Sequence, residues 1–182
     1  MFCISIYKRS RSTYNFLSKY LSCPSPSTLN KQLQQIPFDT GCNKIIIQYL
    51  KILATEIDLQ DLTCLLIWDE MAIQPAMHYD KKTDKIIGFE DWGNKRTRKF
   101  ADHCIVFYIR CLSSGNHMPI GYGYCNAATK STQLASCIKE WLTILIHCGF
   151  KPVATVCDQG GTNIAAINSL IEDTRYMWHK SK

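Results

Sequence analysis

Long apolar runs, secretion signals and common hydrolase motifs are all missing from this sequence of 182 residues. No apolar run approaches the ~20 residues that a membrane-spanning helix needs. At the amino terminus the basic residues Lys8 and Arg9 follow a short apolar stretch, which is the wrong order and length for a signal peptide. No GxSxG or HExxH motif is present, which disfavours the hydrolases that depend on them. We therefore expect an intracellular protein without a membrane anchor.

Paired cysteines are also missing, although the sequence has ten cysteines. No two of them lie closer than seven positions, so neither a CxxC pair nor zinc-knuckle spacing occurs. Most lie in apolar runs, as Cys64 and Cys157 do. This placement disfavours the disulfide framework of small secreted proteins. We predict buried free thiols in a reducing compartment.

Acidic residues are absent from the first 38 positions, which carry five basic residues. The whole chain has a formal net charge of +6 and a pI near 8.8. Such a balance is compatible with an anionic partner such as DNA. Hydrophobic residues make up 46% of the chain and charged residues 20%, so a disordered chain is excluded.

The acid-free segment predicts two short helices. Tyr14, Leu17 and Leu21 recur at helical spacing, and the pattern resumes after a Pro/Ser-rich turn at residues 23–27 and continues to Pro37. Two uses of this pair stay open. One is a helix-turn-helix that reads DNA, and the other is a helical collar on the main domain, which is the more common use of short amphipathic helices.

A helix and a buried strand are predicted next. An apolar stripe from Asn43 to Ile57, with Asn43 as its cap, predicts the helix. Leu62–Trp68 is almost continuously apolar, which predicts a strand that is buried on both faces and ends at Asp69.

Three β-like stretches with turn signals between them follow, at residues 85–92, 103–112 and 119–125. Neighbouring stretches of this kind predict an antiparallel meander. The basic run at 95–99 lies before the second stretch and is read either as a phosphate contact or as a solvated loop.

The last part of the chain predicts a helix over Ser131–His147, a short strand over Val153–Cys157 and a helix over Asn163–Leu170. A strand–helix–strand unit implies a right-handed crossover and parallel pairing. The predicted fold class is therefore α/β, with a mixed sheet of an antiparallel meander plus a parallel crossover strand.

Two aspartates follow the two buried strands, Asp69 after the first and Asp158 after the second. Functional groups of α/β sheets collect at the carboxyl ends of strands. If the strands are adjacent and parallel, the carboxylates face each other across roughly one interstrand spacing, ~4.8 Å. Two anions so close repel each other unless a cation lies between them. The hard oxygen ligands suit Mg²⁺ or Mn²⁺, and two such ions can activate water and hold a phosphodiester.

Gly160 and Gly161 come directly after the second aspartate and its neighbour Gln159. Glycines at this place allow the backbone to approach a metal or ligand closely. Two other interpretations stay open: a tight turn in which Asp158 caps the next helix, and a phosphate-binding turn of a doubly wound nucleotide-binding domain.

The segment Leu65–Met71 (LLIWDEM) resembles the first catalytic strand of P-element-type transposases and their relatives that carry an amino-terminal THAP zinc finger. The resemblance covers about Thr13 to the end and is strongest over 65–163. It continues through residues 79–93, 106–107, 118–120, 149–150 and 153–163, the last of which contains VATVCDQGGTN. The combination of strand and following hairpin is fairly specific, whereas no single piece is.

This resemblance implies an RNase H-like fold and metal-dependent DNA cleavage and strand transfer with Mg²⁺ or Mn²⁺. Asp69 aligns with the first catalytic carboxylate and Asp158 with the second, both as metal ligands. Glu70 points to the opposite side of the strand and is not counted as a ligand. DNA as partner, a nuclear location and a homo-oligomer formed through regions outside this chain are also implied.

Two features of the family have no counterpart in this sequence, namely the zinc finger and the third acidic ligand. The chain stops 24 residues after Asp158 (182 − 158), and the acids of that tail, Glu172 and Asp173, follow too soon and are expected to end a helix. We therefore expect a transposase fragment, with a helical segment at 1–60 and a catalytic domain at 61–182 that is incomplete at its carboxyl end. The alternative is a degenerate or domesticated module that binds DNA or protein without catalysis.

Overall fold

The computed structural model describes residues 2–33, 38–81 and 84–180. The chain divides into two compact units, residues 1–37 and 38–182. The helical pattern predicted up to Pro37 extends outside the described residues. The predicted division at residue 60 stays a prediction about domain organisation. None of the described helices is long and apolar enough to cross a membrane.

The first unit has three short helices in its described part, α1 (Phe2–Arg9), α2 (Arg11–Leu17) and α3 (Pro26–Leu33). Tyr7, Tyr14 and Leu29 are buried together as its small core. The rings of the two tyrosines meet edge to face with centroids 5.3 Å apart. Helix α1 was not predicted, because one buried residue in eight leaves no periodic signal.

Three helices belong to the described part of the second unit: α4 (Lys44–Glu56), α5 (Ser131–His147) and α6 (Gly161–Lys180). Asn43 caps α4, since its Oδ1 accepts a hydrogen bond from Ile45 N at 2.8 Å. Helices α4 and α5 confirm the sequence prediction. Helix α6 runs ten residues past the predicted end at Leu170 because neither glycine nor proline interrupts it.

The described strands are β1 (Thr63–Ala72), β2 (His78–Asp80), β3 (Lys85–Ile87), β4 (Phe89–Asp91), β5 (Arg96–Phe100), β6 (His103–Cys111), β7 (His117–Cys125) and β8 (Lys151–Val156). Six of them form one sheet in the order β5-β4-β7-β6-β1-β8, and β2 pairs with β3. Strand β8 lies parallel to β1, whereas the other recorded pairs are antiparallel. The mixed α/β sheet that the sequence predicted is thus confirmed.

The stretch 85–92 is not the single strand that was predicted. Gly88 has φ +117°, and a Cβ there would lie 2.0 Å from the carbonyl oxygen of Ala76, so the chain can bend at this position only with glycine. Strand β3 therefore pairs with β2, while β4 joins β5 and β7. The predicted meander would have paired the stretch 85–92 with the stretch 103–112. Because β6 already has β1 and β7 on its two edges, β4 pairs with β7 instead.

The basic run at 95–99 forms most of strand β5 rather than a loop. Arg96 is tied to Asp91 of β4, with Nε and Oδ2 3.8 Å apart, and its guanidinium lies over the ring of Phe89 at 5.6 Å. Arg98 and Lys99 are exposed on this edge strand. These basic side chains thus lie on an edge strand of the sheet, which pairs with β4.

The core of the second unit lies on one face of the sheet. Along β1 the side chains of Cys64, Leu66 and Trp68 are buried, while Leu65 and Ile67 between them are only half-buried. The buried set shares its core with residues of all three helices, among them Leu50, Leu134, Ile138, Trp141 and Ala166. The prediction of a strand buried on both faces is therefore wrong, since the core covers one face.

Two glycines of β7 allow tryptophans to pack against the sheet. A Cβ at Gly121 would lie 2.3 Å from the ring of Trp141, and one at Gly123 would lie 2.8 Å from the ring of Trp92. Both positions are therefore closed to larger residues. The Gly-Tyr-Gly-Tyr sequence at 121–124 is thus a packing motif of the core.

Candidate active site

The two strands that precede the candidate aspartates are neighbours. Strands β1 and β8 pair in parallel, and Ile67 lies opposite Val156 in this register. The pairing ends at these two residues, and Asp69 and Asp158 each follow two positions later in the sequence. The structure therefore makes the two strands that lead to the aspartates neighbours.

The strands do not end where the sequence predicted. Strand β8 ends at Val156, so Asp158 lies in the loop before α6. Strand β1 continues to Ala72, and Asp69 lies inside it, opposite Val106 of β6. The reason is that β6 follows β1 to its end, whereas β8 leaves it after Val156. Asp69 is thus placed just past the end of the parallel pairing but within a rigid strand.

The side chain of Asp69 is exposed and makes one local hydrogen bond. Its Oδ1 accepts from the backbone N–H of Glu70 at 2.9 Å. The carboxylate of Glu70 accepts the N–H of Thr129, with its Oε1 3.1 Å from that nitrogen, just before α5. This contact agrees with the expectation that Glu70 does not share the site of Asp69.

Asp158 is held by two donors on one oxygen. Its Oδ1 accepts the backbone N–H of Gly160 at 3.0 Å and a side-chain N–H of Asn163. The other end of the Asn163 amide, Oδ1, accepts the indole N–H of Trp68 at 2.9 Å. Sequence reasoning missed Asn163, and it placed Trp68 in the core without this contact. The available signals were an amide in the first turn of α6 and a tryptophan directly before Asp69.

The glycines after Asp158 differ in their surroundings. A Cβ at Gly160 would lie 3.1 Å from Oδ1 of Asp158, whereas a Cβ at Gly161 would meet nothing within 4 Å. Gly160 therefore permits the close approach of backbone and carboxylate, and Gly161 is not needed for it. A tight turn is present in this segment, because the Gly160 N–H closes it on Asp158. The second donor to Asp158 is the Asn163 side chain, so no capping bond from a backbone N–H of α6 to Asp158 occurs among the described residues.

The donor chemistry of the two aspartates fits a divalent cation. Each carboxylate has its Oδ1 engaged by N–H donors, while no hydrogen bond within residues 2–33, 38–81 and 84–180 reaches either Oδ2. Hard carboxylate oxygens of this kind suit Mg²⁺ or Mn²⁺. Among the described residues no group of three or more His, Cys, Asp or Glu side chains is arranged to hold a metal ion. Asp69 and Asp158 therefore do not form such a group with a third side chain in the part of the chain that the structure describes.

The cysteines contribute no nucleophile to this site. All ten are free, but the prediction of buried free thiols holds only for the four that are buried, which are Cys64, Cys111, Cys125 and Cys148. Burial raises the pKa of the Cys64 thiol and of the Cys125 thiol to about 12. Burial, and then the negative charge of Asp158, raise the pKa of Cys157 beside the site. Protonated thiols are poor nucleophiles and poor metal ligands.

A cavity of about 480 Å³ lies farther along the sheet, near β3, β4 and β7. Its charged lining is mixed, with Asp39, Asp80 and Asp91 beside Lys85 and Arg96. Strand β6 separates β7 from β1, so this cavity is distinct from the carboxylate pair. Because the opposite charges offset one another, the lining indicates no single class of ligand.

The family model described as TNP-like, RNase H N-terminal domain matches residues 38–171. Among solved structures the chain is similar to the Drosophila P element transposase in its strand transfer complex, with a TM-score of 0.64 and 23% identity over 92% of this chain and 34% of that chain. The chain thus spans about a third of the length of that protein. No curated protein gives a significant match. The match over 38–171 shows that this chain belongs to the TNP-like family, as its RNase H N-terminal domain, and the structural likeness shows that it shares the fold of the Drosophila protein.

Proposed function

We propose that this domain supplies the first two metal-binding carboxylates, Asp69 and Asp158, for metal-dependent DNA strand cleavage and transfer. The observation that carries the proposal is the parallel register of β1 and β8, in which Ile67 lies opposite Val156. This register leads both chains to an aspartate two residues later. Both side chains are exposed, so ions and DNA can reach them.

In this proposal the metal ion would supply the chemistry and the two aspartates would hold the ion. Mg²⁺ or Mn²⁺, when bound, would supply a Lewis acid that activates water and stabilises the leaving oxygen of a phosphodiester. The carboxylate of Asp69 would bind the ion from a paired strand, and the carboxylate of Asp158 would bind it from a hydrogen-bonded loop. The Oδ2 atom of each side chain is the one that would face the ion, since Oδ1 already accepts N–H donors.

We propose that a third carboxylate completes the ligand set. The described residues place no third acidic, histidine or cysteine side chain with the pair in a metal-binding group. Glu172 and Asp173 lie inside α6 and not after it, so the expectation that they end a helix is wrong. A partial ligand set predicts measurable metal binding together with weak or absent strand transfer by the 182-residue chain.

DNA is the proposed partner. The net charge of +6, the five basic residues of the acid-free first segment and the exposed Arg98 and Lys99 of edge strand β5 all favour contact with phosphates. The similar Drosophila protein is a transposase captured in a strand transfer complex, which supports the same partner here. A nuclear location and a homo-oligomer formed through regions outside this chain belong to the same proposal.

Calorimetry with Mn²⁺ tests the metal site directly. We expect the chain to bind Mn²⁺ and both Asp69→Asn and Asp158→Asn to abolish that binding. Asp173→Asn, on the exposed surface of α6, is the matched control and should bind Mn²⁺ as the unchanged chain does. Unchanged Mn²⁺ affinity in both Asp69→Asn and Asp158→Asn would disprove the assignment.

Filter binding of DNA with and without chelator distinguishes a domain whose DNA binding depends on metal from a module whose DNA binding does not. A transposase domain with a functional site should bind a DNA end more tightly in Mn²⁺ than in chelator, because an ion held by Asp69 and Asp158 would offset the repulsion between these carboxylates and the DNA phosphates. The degenerate or domesticated module predicts equal DNA binding in both conditions and no heat of Mn²⁺ binding.

A further inference from the structure

Two hydrogen bonds through the side chain of Asn163 link strand β1 to the loop that follows β8. Trp68 donates its indole N–H to Oδ1 of Asn163 at 2.9 Å, and Asn163 donates to Oδ1 of Asp158. We infer that Asn163 is a positioning residue that fixes Asp158 for metal binding. The inference rests on the proposed function, because it concerns the same carboxylate.

The orientation of the Asn163 amide is determined by its two neighbours. An indole N–H can only donate, and a carboxylate with Oδ1 facing an amide can only accept. The amide therefore has to turn its oxygen to Trp68 and its nitrogen to Asp158. Rotation by 180° would face oxygen to oxygen and nitrogen to nitrogen, and both hydrogen bonds would be lost. Because the side chain of Trp68 is only 1% exposed, water cannot replace its partner.

The amide also connects parts of the chain that are remote in sequence. Trp68 directly precedes Asp69 in β1, Asp158 lies in the loop after β8, and Asn163 lies in the first turn of α6. One side chain thus contacts the central strand of the site and the loop carboxylate together. Trp68 belongs to the main core with residues of α5, so one end of this series of hydrogen bonds is held by core packing.

Asp158 needs such support more than Asp69 does. Asp69 lies on a strand paired with β6 at this position, whereas Asp158 is exposed on a loop. Within the described residues Asp158 accepts from the Gly160 N–H and from Asn163, so without Asn163 the Gly160 N–H of its own turn would remain. The Asn163 donor fixes Oδ1 and leaves Oδ2 directed elsewhere, so the rotamer is ordered before an ion arrives. Supporting residues of metal ligands typically change metal affinity 10- to 100-fold when they are removed.

The test measures Mn²⁺ affinity of the full 182-residue chain by calorimetry. We expect Asn163→Leu, which keeps the approximate size but neither polar atom, to weaken Mn²⁺ binding about ten-fold. Asn168→Leu is the matched control, because Asn168 is an exposed asparagine farther along α6. It should leave the affinity unchanged.

A double variant separates positioning from stability. Asn163→Leu alone leaves the buried Trp68 N–H without a partner and should lower Tm. Trp68→Phe leaves a cavity of its own, so the four chains form a double-mutant cycle: Asn163→Leu should lower Tm less in the Trp68→Phe background than in the unchanged chain, while it weakens Mn²⁺ binding about ten-fold in both. A merely structural role predicts that the loss of affinity shrinks together with the loss of Tm.

Side-chain resonances of the unchanged chain give a readout that needs no variant to fold. In ¹⁵N spectra the Asn163 amide and the Trp68 indole signals should move on titration with Mg²⁺, with one midpoint for both. Absence of any shift at saturating Mg²⁺ overturns the inference.

The remaining outcomes are distinct for the two proposals. If Asp158→Asn loses Mn²⁺ binding while both Asn163→Leu variants bind normally, the inference is wrong and the proposed function stands. If Asp158→Asn binds Mn²⁺ like the unchanged chain, or the unchanged chain binds none, the proposed metal site fails and the inference with it.

Discussion

The two faces of strand β1 differ in what they contribute. Cys64 and Leu66 are 0% exposed and Trp68 is 1% exposed, so this face belongs to the core. On the other face Leu65 and Ile67 are half-buried and Asp69 is exposed. Because side chains alternate along a strand, one element can be rigid on one face and chemically available on the other. Asp69 therefore lies on a paired strand whose opposite face is packed into the core.

The core face should show the largest loss of stability. We expect Leu66→Ala to lower the free energy of unfolding by about 2–5 kcal/mol, because it leaves a cavity in a closed core. Leu65→Ala removes the same atoms from the half-buried face and should cost clearly less. Urea unfolding measures both, and equal losses would contradict the difference between the faces.

The carboxylate face should respond to metal rather than to core packing. At a Mn²⁺ concentration of about 100 Kd, the unchanged chain should gain about 2.7 kcal/mol in the free energy of unfolding by mass action. Asp69→Asn should gain nothing, while its stability without metal should stay within about 0.5 kcal/mol of the unchanged chain. Thermal unfolding with and without Mn²⁺ checks this, and an equal gain in the variant would count against Asp69 as a ligand.

Glu70 sharpens the comparison, because it adjoins Asp69 and faces the other way. Thr129 is 3% exposed and donates its N–H to Glu70, so Glu70→Leu should cost about 1–3 kcal/mol of stability. Glu70→Gln keeps an acceptor oxygen and should cost less. Neither change should alter Mn²⁺ affinity in calorimetry, and a loss of affinity in Glu70→Gln would make Glu70 a ligand.

Of the expected effects, we place last those of the buried thiols on labelling and on the pH dependence of stability. Burial raises the pKa of Cys64 and of Cys125 to about 12, above the ordinary thiol value of 9.0. Both should resist a thiol reagent at pH 8 in the native chain and react after denaturation, as mass spectrometry can show. The pKa of each buried thiol is higher in the folded state than in the unfolded state, so above pH 9 the unfolded chain loses protons that the folded chain retains. The free energy of unfolding should therefore fall as the pH rises above about 9. Rapid native labelling of Cys64 at pH 8 would contradict its burial.

The helices of the second unit illustrate what local signals can predict. Helix α5 has the predicted bounds because its apolar stripe and the following Gly149, with φ +99°, are local features. Strand order was less predictable. The split at Gly88 depends on the distant carbonyl of Ala76, and the pairing of β4 with β7 depends on which edges remain free. Neither partner can be read from the sequence around the strand.

The candidate site was predictable in part. Asp69 and Asp158 stand out because each follows an apolar run, and the parallel pairing of those runs was expected from the crossover helix. Asn163 did not stand out, because an asparagine in the first turn of a helix is ordinary. Its importance comes from Trp68, which is 95 residues away in the sequence.

The amino-acid sequence alone predicted the α/β fold class and drew attention to Asp69 and Asp158, because alternation, helical period and turn residues act over a few neighbouring positions. It did not predict that Asp69 lies within a strand, that the core covers one face of the sheet, or that the Asn163 amide bridges Trp68 and Asp158. Those outcomes depend on contacts between distant segments, and such contacts are set by which surfaces pack together rather than by any local pattern.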